Sequence, residues 1–338
     1  MSYINDVDDR YINKKVEAVP DISKCTLRLE LTNICNHKCI MCPHAKQERK
    51  PVVMDRKFAF RIIEESAKLG VKRAALFLNG EPFLVNNLHE YIRHCKNSGM
   101  EYVFITTNGA KAKFDDVIAS MDAGLDSIKF SINAGSRETY KLIHGSDDYD
   151  YVIELIKRIK KYRDKNEIKC KILSGFVITD YTIMEAEKHY NRIKEYVDDI
   201  CFFKPDNFGG YMVDDYSKYV NYELRGEDLP FPYYDYPQKT LPCSFLSNCV
   251  TITAEGFLSL CCSEALNYLV VEDLNNQSLE QAWKSPAMQK IRNRHQENKL
   301  KGTQCYNCMF NVSESVEPLN NELFSQCIRK DYVNGGLG

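Results

Sequence analysis

Three cysteines, Cys35, Cys39 and Cys42, lie close together in the run Leu-Thr-Asn-Ile-Cys-Asn-His-Lys-Cys-Ile-Met-Cys-Pro-His. Such a C-x3-C-x2-C loop can hold three irons of a [4Fe–4S] cluster and leave the fourth without a protein ligand. A metal position left open invites a substrate or cofactor to bind it. The same residues admit a plainer reading, a zinc site completed by His37 or His44, or three reduced structural thiols. A second group lies far downstream: Cys243, then Cys261-Cys262, then Cys305-x2-Cys308. Taken alone, Cys243, Cys261, Cys305 and Cys308 in a hairpin-plus-pair pattern favour a zinc ribbon-like site.

From Thr26 to about Lys204 the chain alternates short β-rich runs with helical ones. The strand candidates are Thr26–Thr32, Arg73–Leu78, Tyr102–Thr106, Ser127–Ile132, Lys171–Ile178 and Ile200–Phe203. Helical runs lie between them, such as Leu88–Asn97, with Leu88, Tyr91, Ile92 and Cys95 on one face. Strands alternating with crossover helices imply a parallel sheet, and six units are too few for a closed eight-stranded barrel. The expected fold is therefore α/β, an open, partial (β/α)6 TIM-like barrel with a small cysteine-rich α+β unit behind it. The unusual residues fall at carboxyl ends of predicted strands, where parallel α/β folds place their active sites. The cysteine loop follows the first strand, Asn79-Gly80-Glu81-Pro82 the second, Thr107-Asn108-Gly109 the third and Ser131-Ile132-Asn133 the fourth.

With these motifs in phase, the chain resembles the radical SAM superfamily. That resemblance implies S-adenosylmethionine on the open iron and one-electron cleavage of its sulfonium to a 5′-deoxyadenosyl radical, which abstracts a substrate hydrogen. Asn79-Gly80-Glu81 resembles the Gly-Gly-Glu motif that holds the methionine amino group. Thr107-Asn108 matches a third-strand motif lining the same site, and Ser131 and Asn133 stand where carboxylate or ribose is contacted. The fifth strand, ending at Ile178, resembles the one that packs against adenine. Met41 occupies a position often aromatic, and His144 one that often carries arginine.

Downstream, Val250-Thr251-Ile252-Thr253, a turn at Ala254-Glu255-Gly256 and Phe257-Leu258-Ser259-Leu260 read as a β-hairpin. Ser278 followed by Gln281 is a capping-box signature opening a helix with Trp283. The spacing C-x12-G-x4-C, then Ser-Leu-Glu-Gln-Ala-Trp-Lys-Ser-Pro, then C-x2-C, resembles the twitch form of the SPASM extension. The resemblance implies one auxiliary [4Fe–4S] cluster on Cys243, Cys261, Cys305 and Cys308. Cys249, Cys262 and Cys327 are then spare, and Cys25, Cys95, Cys170 and Cys201 sit in apolar contexts and read as core.

The domain expectation is an N-terminal extension (1–24), the barrel (25–206), an aromatic-rich connection (207–242), the cysteine-rich unit (243–328) and a disordered tail (329–338). The connection, with Tyr211, Tyr216, Tyr219, Tyr222, Phe231 and Tyr236, is either a substrate-facing cap or a linker.

A net charge of −2 gives no support to general nucleic-acid or anionic-membrane binding. The basic run Lys157-Arg158-Ile159-Lys160-Lys161 reads as the wet face of an amphipathic helix, because Val152, Leu155, Ile156 and Ile159 recur at helical spacing. The first residues lack the basic and apolar regions of a signal peptide, and no apolar run is long enough to span a bilayer. The expected location is the cytoplasm, where fourteen cysteines suggest metal ligands rather than disulfides.

The leading functional expectation is a radical dehydrogenase of a small sugar-like or aminocyclitol-like substrate. The auxiliary cluster takes the substrate electron, Lys204 or Asp206 acts as base, and flavodoxin or ferredoxin serves as reductant. The rivals are an epimerase whose hydrogen donor is Cys249 or Cys262, and a maturase of ribosomal peptides. The maturase is less favoured, because such enzymes often carry an N-terminal peptide-recognition domain and only about two dozen residues precede Cys25.

Overall fold

A computed structural model of the chain describes residues 19–219, 233–234, 241–263 and 265–329. Six parallel strands form the barrel wall: β1 (Thr26–Leu29), β2 (Arg73–Ala75), β3 (Tyr102–Thr107), β4 (Ser127–Ser131), β5 (Lys171–Val177) and β6 (Asp199–Phe203). Each begins at or within a residue of its expected start and ends within three residues of its expected end. Their centres are nearly continuous apolar runs, such as Ile172, Leu173 and Phe176, as strands covered by crossover helices require.

The helices follow the apolar periodicity. Leu88–Asn97 buries Leu88, Tyr91, Ile92 and Cys95. Tyr149–Lys165 buries Val152, Leu155, Ile156 and Ile159 and leaves Arg158 and Lys161 exposed, so the basic run is a solvated face. The Ser278 capping box is present in full at the start of Leu279–Trp283. Cys25, Cys95, Cys170 and Cys201 are buried, as core cysteines should be.

Four more strands complete one open sheet: β7 (Tyr233–Tyr234), β8 (Cys249–Ile252), β9 (Phe257–Ser259) and β10 (Val270–Asp273), in the order β10-β9-β8-β1-β2-β3-β4-β5-β6-β7. The hairpin expected inside a separate cysteine-rich unit is thus continuous with the barrel. β8 runs parallel to β1, pairing Thr26 with Cys249 and Leu29 with Ile252. The sequence hides this pairing because no local turn signals a parallel contact between distant segments.

After β6 the chain forms a 3-10 turn, Phe208–Gly210, and a helix, Val213–Tyr219. The expectations for Tyr222, Phe231 and Tyr236 in the connection, for residues 1–18 of the extension and for the tail from 330 onward lie outside the described residues. No helix among the described residues is long and apolar enough to cross a membrane.

Candidate active site

The loop bearing Cys35, Cys39 and Cys42 leaves the carboxyl end of β1 and is pinned from three sides. On the first, a Cβ on Gly80 would stand 2.1 Å from the Thr32 carbonyl oxygen and 2.8 Å from that of Ile34. Only glycine lets the 79–81 turn lie this close to the start of the cysteine loop. The Glu81 N–H then donates to the Ile34 carbonyl at 2.8 Å. On the second side, Asn108 Nδ2 donates to Asn36 Oδ1 at 3.1 Å and reaches Cys35 Sγ at 3.7 Å.

His144 holds the third side. It ends the helix Arg137–His144, which Ser136 caps at its start and Gly145 stops with φ +64°. The Asn133 N–H donates to His144 Nε2 at 3.2 Å, so the ring proton sits on Nδ1 and points at Cys39 Sγ, 3.3 Å away. His144 therefore steadies a cysteine, with both ring nitrogens engaged.

Glu81, of the 79–81 turn, is buried. Its carboxylate accepts from Thr107 Oγ1 at 2.6 Å, the Asn108 N–H at 2.8 Å and the Phe83 N–H at 3.0 Å. Burial pushes its pKa up, against the pull of those donors. Glu81 and Thr107 brace two strand-end turns against each other, whereas Asn79 and Thr106 face the cavity.

Asn79 is held by Glu30, whose Oε1 accepts from both its backbone N–H and its Nδ2, at 3.3 and 3.0 Å. Glu30 is fully buried and ion-paired to Arg49 at 2.6 Å, and Arg49 reaches Glu255 in the hairpin turn, also at 2.6 Å. For Glu255, burial raises the carboxyl pKa, but the Arg49 guanidinium outweighs it and holds the group below its ordinary value. Sequence reasoning missed this triad. Its one local signal is a charged Glu30 between Leu29 and Leu31.

A cavity of about 330 Å³ opens at the carboxyl ends of the strands. Met41, Asn79, Ser131 and Asn133 line it, and so do Lys204 and Asp206 beyond β6. Of the β5 end, Ile178 is fully buried in the core, while Gly175 and Val177 line the cavity. Strand alternation explains this, since Gly175 and Val177 point one way and Phe176 and Ile178 the other. Arg28, Lys129 and Cys262 also line the cavity, and Arg28 Nε donates to Cys249 Sγ at 3.4 Å.

Cys243, Cys261, Cys305 and Cys308 converge on a second, smaller cavity of about 50 Å³. Asp206, Phe245 and Ser263 line both cavities, so the two are separated by one layer of side chains. His295 also lines the smaller one, 2% exposed, with burial and then Arg294 holding its pKa down at about 4.

Both cysteine groups fit an iron–sulfur cluster by their donor chemistry. No disulfide occurs among the described residues. The loop thiols are close enough that Cys35 and Cys42 help to raise the pKa of Cys39, and Cys35 that of Cys42. Burial is the main cause, lifting Cys42 to about 11 and Cys39 well above the ordinary range. Cys261 lies within the electrostatic reach of Cys243 and Cys308. His44 Nε2 meets the Asn33 carbonyl at 3.1 Å, and His37, Cys39 and His144 bring their ligand atoms within 4.8 Å of one another, a group that could hold a metal ion but includes one of the three loop thiols. Cys327 is engaged elsewhere, accepting from Asn267 Nδ2 at 3.2 Å.

Comparison with known proteins agrees with this geometry. Residues 29–193 match the radical SAM superfamily, and residues 243–309 match the SPASM family, an iron–sulfur cluster-binding domain. A probable GTP 3′,8-cyclase of Saccharolobus solfataricus is 37% identical over 132 residues, 39% of this chain and 42% of that protein, so the chain spans under half the length of such curated relatives. Streptococcus suis SuiB bound to the precursor peptide SuiA superposes with a TM-score of 0.62 at 17% identity, over 90% of this chain and 73% of that one. BtrN in complex with AdoMet and 2-DOIA gives 0.54 at 14% identity, over 88% and 93%. At these identities the structural likeness speaks for the fold. The chain belongs to the radical SAM superfamily and carries a SPASM domain, and with them a SAM-binding [4Fe–4S] cluster and auxiliary iron–sulfur binding.

Proposed function

We propose that the protein is a radical SAM oxidoreductase that dehydrogenates a carbinol of a small sugar-like substrate, using the smaller cysteine cavity as electron exit. The observation that carries this reading is the shared wall: Asp206, Phe245 and Ser263 line both the large cavity and the four-cysteine cavity. When bound, the cluster and SAM supply a 5′-deoxyadenosyl radical, and the auxiliary cluster supplies a one-electron acceptor. In this reading the Asp206 carboxylate would take the O–H proton of the carbinol whose C–H hydrogen atom the radical would remove. The wall of Asp206, Phe245 and Ser263 would stand between the substrate, left with a C=O, and the acceptor of its remaining electron. Lys204, on the same rim, orients the reacting oxygen. A flavodoxin- or ferredoxin-like protein provides the electron that starts each turnover.

The charges of the large cavity support one refinement. Among the described residues, Arg28, Lys129 and Lys204 line it against one carboxylate, that of Asp206. This balance favours a substrate carrying a carboxylate or phosphate over an aminocyclitol, whose ammonium groups would be repelled. The relatives' cyclase name describes a different reaction, and its match covers 39% of this chain.

Epimerisation is the second reading, because Cys262 lines the same cavity and its thiol can return a hydrogen atom to the substrate radical. Anaerobic turnover in D2O with sugar phosphates and sugar acids separates the two. Dehydrogenation gives a carbonyl product and one 5′-deoxyadenosine per ketone, with no solvent deuterium on carbon. Deuterium at the reacting carbon points to epimerisation, and SAM cleavage that no sugar stimulates would sink both.

A further inference from the structure

His295 is the one histidine in the described structure whose two ring nitrogens both lie buried without a hydrogen-bond partner. It occupies the last turn of the helix Pro286–Gln296, on the buried face formed with Met288, Ile291 and Arg292. Ser285 caps that helix, accepting from the Met288 N–H at 3.1 Å, and Pro286 opens it, so the imidazole is carried on a well-fixed element. Burying an imidazole with no partner is unfavourable. Native structures keep such groups where something not present among the protein atoms completes them.

The cavity that His295 lines says what that is. Leu246, Leu260, Leu269 and Met309 make much of its wall apolar, and Cys243, Cys261, Cys305 and Cys308 bring four sulfurs to it. We infer that His295 donates an N–H hydrogen bond to the sulfur of the auxiliary cluster and so raises its reduction potential, which makes it a better acceptor of the substrate electron. The inference rests on the auxiliary cluster occupying this cavity. Its physical basis is that a donor beside cluster sulfur stabilises the extra negative charge of the reduced state. A neutral imidazole has one N–H to give, so one nitrogen is the donor. His295 is a positioning and tuning residue here, with no contact to substrate.

The test uses the Cys35/Cys39/Cys42→Ala chain, reconstituted anaerobically so that any cluster present is the auxiliary one. In protein labelled with 15N-histidine, pulsed EPR of the reduced cluster is expected to show a weak nitrogen coupling that His295→Leu abolishes. The Leu variant should keep its iron but shift to lower potential in a redox titration. His295→Gln, which retains an N–H donor, should stay closer to the parent. An unshifted potential with full iron, or no nitrogen coupling in the parent, overturns the donor role alone. Strong coupling with iron loss in the Leu variant makes His295 a ligand and overturns it equally. No iron in the parent would sink the auxiliary cluster and the donor together.

Discussion

Asn207 Nδ2 donates to the Cys308 carbonyl oxygen at 3.1 Å and to Asn311 Oδ1 at 3.2 Å. The residue after the proposed base is thus tied to the helix Gln304–Phe310, which carries two of the four clustered cysteines. Three residues on, a Cβ at Gly210, where φ is +88°, would lie 2.5 Å from the Cys308 backbone nitrogen. The end of the barrel wall and the cysteine helix are in direct backbone contact here.

Gly210→Ala should therefore cost about 1–3 kcal/mol, from left-handed backbone strain and the clash with Cys308. A thermal melt of the apoprotein checks the stability loss, and iron analysis after reconstitution should show less auxiliary iron. An unchanged melting temperature would mean that the contact can relax.

Arg49→Met should destabilise by about 3–5 kcal/mol, because Glu30 and Glu255 would be left as buried, uncompensated carboxylates. Urea unfolding at neutral pH measures this. The pH dependence has a definite sign. Arg49 holds the Glu255 carboxyl below its ordinary value near 4.5, so its stabilisation is present above that value and is lost as pH falls through the folded-state value. In Arg49→Met only the hydrogen bonds from Thr253 and from Glu255's own backbone still oppose burial, and acid unfolding should begin at a higher pH than in the parent.

Replacing Cys35, Cys39 and Cys42 together by alanine should leave about half the iron after reconstitution, held by the downstream cysteines. Loss of all the iron would place zinc or nothing at Cys243, Cys261, Cys305 and Cys308.

Asp206→Asn should lower substrate turnover about 10²–10⁴-fold, the usual loss for a general base. The iron content and slow, substrate-independent SAM cleavage should persist. Lys129→Met should instead raise KM for an anionic substrate and leave kcat nearly unchanged, as expected for a group that only binds.

The parts of this site written in local sequence were legible, and those assembled across the chain were not. The cysteine loop, the 79–81 turn and Ser131 follow short apolar runs whose strand character is plain. The capping box at Ser278 is equally local. On β5 one apolar run holds both Val177, which lines the cavity, and Ile178, which is buried, and such a run reveals a strand but not which face turns inward. Glu30, Arg49 and Glu255 are brought together from three distant segments, and no periodicity in any of them signals the others. His295 falls on an ordinary buried helix stripe, and only the three-dimensional cavity separates it from a core residue.

The parallel pairing of β1 with β8 also sets a timetable for synthesis. Thr26 emerges from the ribosome early, while its neighbour Cys249 follows more than two hundred residues later. Until then one side of β1 is a bare, hydrogen-bond-hungry edge, the kind of surface that invites wrong partners in a nascent chain. A premature stop before residue 249 would therefore remove the barrel's own flank along with the cysteine-rich part. Such fragments should meet chaperones or proteases instead of persisting as a half-active enzyme.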